Sequence, residues 1–213
     1  MSGVVGPVTG IDAQSAIEAH LRHGFPGQRV VVQGWRTDAM SAPHVRVLRV
    51  DPESRGGLWL HVSSGASLPA EGSAAGSAAG SAGRSAGRSA GGTQGSEFVL
   101  VTPFKTLRAV ELLAMVVYFH GVEELSVGDI VSVGEPWLPG SSCGHLLVSN
   151  PYLLADELWR LPLPGRTVHF RWVIPITAKE RAYATERGLD ALEQRFEEAG
   201  LEYWDPHRAS VVQ

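Results

Sequence analysis

Residues 167–210 read TVHFRWVIPITAKERAYATERGLDALEQRFEEAGLEYWDPHRAS, and this stretch constrains the fold more than any other. Val168 to Ile176 is rich in β-branched and aromatic residues and stops at Pro175-Ile176-Thr177, which is the signature of a strand. After it, Tyr183, Leu189, Leu192 and Phe196 recur at roughly helical spacing, so a helix follows directly. Thr177 with Glu180 three residues later makes a capping box, the hydroxyl accepting from the Glu180 N–H while the carboxylate reaches back to the Thr177 N–H. Gly188 breaks the helix and Asp205-Pro206-His207-Arg208 closes the stretch.

The rest of the chain alternates less regularly. Asp12 to His23 carries Ile17 and Leu21 on one helical face and stops at Gly24, a short first helix. Arg29–Trp35, His44–Val50, Leu58–Val62 and Glu97–Thr102 read as strands between turn residues. From Leu107 to Phe119 the positions Val110, Leu113, Ala114, Val117 and Tyr118 suit a helix packed on a sheet. Ile130–Val133, His145–Ser149 and Val168–Ile174 complete the strands. Elements that come in runs point to an α+β fold, a mixed and largely antiparallel sheet with helices packed mainly to one side.

A chain of 213 residues, 44% hydrophobic, can bury its core in a single domain spanning residues 1–213. Residues 72–92 cannot share that core: GSAAGSAAGSAGRSAGRSAGG holds no apolar side chain larger than alanine, and only Arg84 and Arg88 are larger than serine, too little to offset the entropy of ordering. It is expected to be a disordered loop inserted between two neighbouring strands. The formal charge of −4 splits into +3 for residues 1–110 and −7 for residues 111–213. An acidic second half argues against nucleic acid as partner and suits a basic protein. Cys143 is the only cysteine, so no intrachain disulfide forms. The N-terminal residues lack a signal-peptide pattern, and the longest apolar run, Leu112 to Phe119, has eight residues against about 20 for a membrane span. A soluble cytoplasmic protein, with no membrane contact, is expected.

Two motifs invite an enzymatic reading. Gly140-Ser141-Ser142-Cys143-Gly144 satisfies G-x-S-x-G, and a hydrolase with Ser142 as nucleophile could draw on Asp156, Asp190 or Asp205 and on His169 or His207. Yet Glu135-Pro136-Trp137-Leu138-Pro139 precedes the motif and a strand follows it, where the nucleophile turn needs strand, then helix. Cys143 and His145, with His120 or His169, lack the spacing of a zinc site. No catalytic residue, metal site or cofactor is therefore expected, with the serine hydrolase kept as the alternative. The aromatic residues point instead to a protein partner: Trp137 beside Glu135, and Trp159 beside Asp156 and Glu157, pair a large ring with carboxylates in loop-like sequence.

Several blocks resemble the suppressor of fused (SUFU) family. They are the segment 167–210, Gly57-Leu58-Trp59 through Ser64-Gly65-Ala66-Ser67, Glu97 to Val101, the helix from Arg108 to Tyr118, and Gly134 to Ser141 leading into Leu146-Leu147-Val148-Ser149-Asn150-Pro151-Tyr152. The resemblance implies a bacterial, non-enzymatic domain that binds protein. Bacterial members are interpreted as immunity proteins that neutralise a cognate toxin of a polymorphic toxin system. The animal homologue holds a transcription-factor peptide between two domains, and this chain is too short to carry the second. A regulatory or scaffold domain without a toxin is the other reading that the resemblance allows.

Overall fold

The longest strand is also the hub of the sheet. In the computed structural model, which describes residues 10–34, 46–68, 93–151 and 156–213, the elements in chain order are α1 (Gly10–Gly24), β1 (Val30–Gly34), β2 (Arg46–Val50), β3 (Trp59–Ser64), β4 (Thr93–Thr102), α2 (Arg108–Glu123), β5 (Ile130–Ser132), β6 (Cys143–Ser149), a 3₁₀ turn (Asp156–Trp159), β7 (Arg160–Leu163), β8 (Arg166–Thr177), α3 (Ala178–Arg187) and α4 (Leu189–Ala199). The repeat at 72–92, Trp35 and His44 lie outside the described residues.

The eight strands form one sheet in the order β1-β2-β3-β4-β8-β6-β5, with β7 also paired to β8. One edge of β8 takes β4 in parallel, from Thr93↔Arg166 to Val99↔Trp172. The other edge is shared: β7 covers Arg166 to His169 and β6 covers Trp172 to Thr177, both antiparallel. All remaining pairings are antiparallel, so the sheet is mixed and largely antiparallel as expected. Pro175 fits inside β8 because the pairing of β8 with β4 has already ended at Trp172. Its carbonyl accepts from Arg208 at 2.7 Å, so that side of the backbone faces no strand and the missing N–H costs no ladder bond.

Side chains alternate across a strand, and the sheet therefore has two apolar faces. Leu60, Val62, Val99, Val101, Trp172 and Ile174 pack with Ile17 and Leu21 of α1 and Leu192 and Phe196 of α4. Phe98, Leu100, Leu146, Val148 and Val173 pack beneath α2. Tyr183 and Ala184 of α3 join the first face, so among the described residues three helices lie on one side and α2 alone covers the other.

Three buried polar groups tie the layers together. Glu180, in the capping box with Thr177 (3.2 and 2.8 Å), receives both arms of Arg208 at 2.7 and 2.8 Å and the Val211 N–H at 3.0 Å. The helix start and the segment after α4 are thus clipped by one carboxylate. Glu97, fully buried, accepts from the Ser63 and Ser67 hydroxyls at 2.5 and 2.7 Å and from the backbone N–H groups of Gly65, Ala66 and Ser67, holding the turn after β3 against β4.

His61 is the third. Thr102 donates its hydroxyl proton to the Phe104 carbonyl at 2.8 Å, so its oxygen can only accept from His61 Nε2 at 3.2 Å. Nδ1 is left buried without a partner. Desolvation, reinforced by the Arg49 charge, pulls the imidazole down from 6.5 to about 4. Well above pH 6.5 the ring is uncharged in both folded and unfolded chains and contributes no pH dependence. As the pH falls through 6.5 the unfolded chain takes up a proton that the folded one refuses, and stability drops until about pH 4. The expected loss is about 2–3 kcal/mol near pH 4.5 relative to pH 7. Urea midpoints at the two pH values should show it, and His61→Gln should remove most of the slope.

Candidate functional site

Helix α2 is apolar nearly all round, the pattern of a helix covered on every side. Its inner face is Ala109, Val110, Leu112, Leu113, Val116 and Val117, all buried. On the outer side, positions 107, 111, 115, 118 and 122 fall on one stripe by helical geometry. Leu107 is 67% exposed, Val122 65% and Tyr118 37%, and Phe104 in the lead-in is 46% exposed. These are four of the five exposed large hydrophobic residues among those described, the fifth being Val32 on β1. Tyr118, expected in the core, faces outward instead. Clustered apolar exposure of this kind marks an interaction surface.

Charges rim the stripe. Arg108 bridges Glu111 at 3.1 Å and Glu135 at 2.6 Å, which fixes the loop after β5 against the start of α2. Glu123 and Glu124 stand exposed at the other end, where Glu124 takes a left-handed backbone (φ 51°) and its N–H caps His120 O at 2.9 Å. The arrangement is an apolar ridge with a net-acidic border, four carboxylates against Arg108 and the exposed Lys105.

The residues expected to meet a partner do not converge. Glu135 lies at the edge of this ridge, whereas Trp137 is fully buried beneath α2. Its N–H donates to Cys143 O at 2.9 Å, folding the proline-rich loop back over its own ring. Trp159 is 4% exposed and belongs to the opposite face of the sheet. It packs edge-on against Phe170 and Trp172, at 6.3 and 6.1 Å between ring centres. Asp156 opens the 3₁₀ turn, Glu157 is exposed on it, and Leu158 O meets the His20 ring at 2.8 Å. Both rings expected to meet a partner are core, whereas Glu135 and Glu157 beside them are exposed.

The enzymatic motifs also find a plain geometry. Gly140 turns at φ 80°, and its missing Cβ makes room for the His207 ring, which such an atom would meet at 2.9 Å. Ser141 is buried and accepts from Cys143 N at 3.1 Å. Ser142 is exposed, and among the described residues no hydrogen bond joins it to a histidine. The turn runs into β6, not a helix. Burial pushes the Cys143 thiol up despite the opposing Arg208 charge, which disfavours the thiolate a metal would need. His145 is engaged by Ser132 at 3.1 Å. Among the described residues no group of three or more His, Cys, Asp or Glu could hold a metal ion, and no helix is long and apolar enough to cross a membrane.

Glu97 and the ridge were not singled out by sequence reasoning. A lone carboxylate in EFVLV opposite the run Ser63-Ser64-Gly65-Ala66-Ser67 was the available signal for the first. For the second it was a helix with too few charges to have a solvated side.

The family model described as suppressor of fused protein (SUFU) matches residues 41–209. Among solved structures, one from Neisseria gonorrhoeae FA 1090, described as a homolog of SUFU, is similar over 95% of this chain and 98% of its own, with 28% identity and a TM-score of 0.75. A chain of the structure described as the Sufu-Fu complex is similar over 93% of this chain and 92% of its own, at 16% identity and a TM-score of 0.61. Drosophila Suppressor of Fused is matched over 93% of this chain and 51% of its own, at 15% identity and a TM-score of 0.58. The last two identities speak for the fold alone. No curated protein matches the sequence.

Proposed function

The chain belongs to the suppressor of fused family, and from that premise we propose that it acts without catalysis, by binding a protein partner through the outer face of α2. The observation that carries this reading is the exposed apolar ridge of Phe104, Leu107, Tyr118 and Val122. Leaving such side chains in water gains nothing for the fold, whereas a partner that covers them gains about 25 cal/mol per Å² of apolar surface. The buried carboxylates support it, since Glu97 and Glu180 are each spent on holding turns and helix starts. Sufu has a protein partner in the Sufu-Fu complex, and the same mode of action is assigned here.

The more specific role is that of a bacterial immunity protein, whose acidic-rimmed ridge covers a basic toxin domain. Opposite charge around an apolar centre speeds encounter and excludes wrong partners, so capture should weaken as salt rises. Co-expression with the product of each adjacent open reading frame tests the role: one product should be toxic alone, be rescued by this protein and co-purify with it. Neither rescue nor a complex with any of them would end the immunity reading.

Leu107→Asp combined with Val122→Glu tests the surface. Leu107 lies at the start of α2, where a carboxylate is favoured by about 0.3–1 kcal/mol, and Val122 in its last turn, where one is disfavoured by a similar amount, so the two offset each other and the melting temperature should hold. Complex formation should fall by at least about tenfold, the equivalent of about 1.4 kcal/mol. Full rescue by this variant would place the contact elsewhere.

A further inference from the structure

On the face of the sheet opposite α2, the turn after α1, the β2–β3 connection and the segment after α4 enclose a half-open cavity of about 310 Å³. Leu60, Val101 and Trp172, all buried, form its floor, and Phe25, Leu58 and Tyr203 form its walls. The rings of Trp172 and Tyr203 stand 4.7 Å apart at 57°, so they present two differently angled surfaces. Trp172 is 3% exposed and Tyr203 8%, yet Trp172 Nε1 and Tyr203 Oη have no hydrogen-bond partner. Glu53, exposed at the rim, is the one charged residue among the described lining, and no Lys, Arg or His joins it. The nearby Arg49 is committed elsewhere, to Asp51 at 2.7 Å and to the Trp59 ring at 5.1 Å.

We propose that this cavity is an aromatic cage for a cationic side chain, arginine or lysine, presented by the protein partner. The inference rests on the protein-binding reading and adds a second contact on the other side of the sheet from the α2 ridge. Three aromatic residues attract a cation through their ring quadrupoles. The carboxylate of Glu53 supplies the opposite charge at the mouth, and the apolar stem of the incoming side chain lies along Leu58 and Leu60. The volume suits one long side chain, at the lower end of the range for ligand pockets.

N-acetyl-arginine amide is the probe, titrated into the full chain while the indole N–H resonances are followed by NMR. N-acetyl-citrulline amide, equal in shape but uncharged, is the control. The arginine derivative should shift the Trp172 indole, and the citrulline derivative should bind about tenfold more weakly. Glu53→Gln, at an exposed loop position where folding is not at stake, should cost about fivefold to tenfold of the arginine affinity. Phe25→Leu should also weaken it. Equal binding of the two probes, an undiminished titration in both variants, or no indole shift at all would overturn the cage. The Leu107→Asp/Val122→Glu variant should titrate as the parent does, so failure of the cage and failure of partner capture at the ridge are read separately.

Discussion

Arg208→Ala should cost about 3–5 kcal/mol of stability, because it leaves the Glu180 carboxylate buried with no compensating charge. Glu180 is fully buried and the Arg208 side chain is 5% exposed, so water cannot replace the lost partner. For a chain of this size the corresponding fall in melting temperature is about 10 °C or more. Glu180→Gln, which keeps the shape but not the charge, should recover only part of the bonding. The double change Glu180→Gln/Arg208→Met should be less damaging than Arg208→Ala alone, since it strands no charge and leaves an amide oxygen to accept from the Thr177 or Val211 N–H. If Arg208→Ala unfolds in urea at the parental midpoint, the clip contributes nothing.

The same pair predicts an acid response. Burial alone would raise the Glu180 pKa, but the hydrogen bonds and charge of Arg208, with the Thr177 and Val211 N–H groups, outweigh it and hold the carboxyl below its usual range. A depressed carboxylate stabilises the fold fully above its unfolded value near 4.3 and loses that contribution as the pH falls toward the folded value. Acid loss from Glu180 therefore begins below the range in which His61 does most of its work. The His61→Gln variant should retain this second, lower limb.

Glu97→Ala is expected to be nearly as costly, on the order of 3–4 kcal/mol, because it strands five donors at once. The Gly65, Ala66 and Ser67 amides and the Ser63 and Ser67 hydroxyls all lose their acceptor. Ser63 also accepts from the Phe98 N–H at 2.8 Å, so the loss reaches into the β3–β4 pairing. Amide exchange at residues 65–67 should accelerate well beyond the global change, which separates a local anchor from general destabilisation. Gly95 makes the same point by packing: a Cβ there would sit 2.8 Å from the Ser67 Cβ and 3.2 Å from its carbonyl. Gly95→Ala should therefore push the turn off Glu97. Unchanged exchange at 65–67 in Glu97→Ala would refute the anchoring role.

Local chemistry was legible in the sequence wherever one stretch contained the whole signal. Thr177 and Glu180 declare the helix start three residues apart, and both reciprocal bonds are present. The partner that makes Glu180 a clip, Arg208, is 28 residues further on, and no local pattern announces it. The parallel pairing of β4 with β8 is similarly non-local. Strand β7 was missed because Arg160-Leu161-Pro162-Leu163 reads as loop. Pro162 is tolerated because β7 pairs only with β8 and lies at an edge. Trp137 and Trp159 carry the flanking residues of surface loops, yet tertiary folding turned both rings inward. For α2 the difficulty was the reverse, since apolar residues on every side did not say which side would be covered.

Strands β3 and β4 are direct neighbours, paired from Trp59↔Thr102 to Val62↔Val99, and residues 65–92 lie between them in the chain. A connection whose two ends are pinned by the same hairpin can gain or lose residues at little thermodynamic cost, about 0.6 kcal/mol per doubling of its length. The pairing of β3 with β4 thus keeps its register whatever the length of chain between them. Both anchors, Glu97 at one end and the Ser63–Ser67 turn at the other, lock the register on either side of that gap.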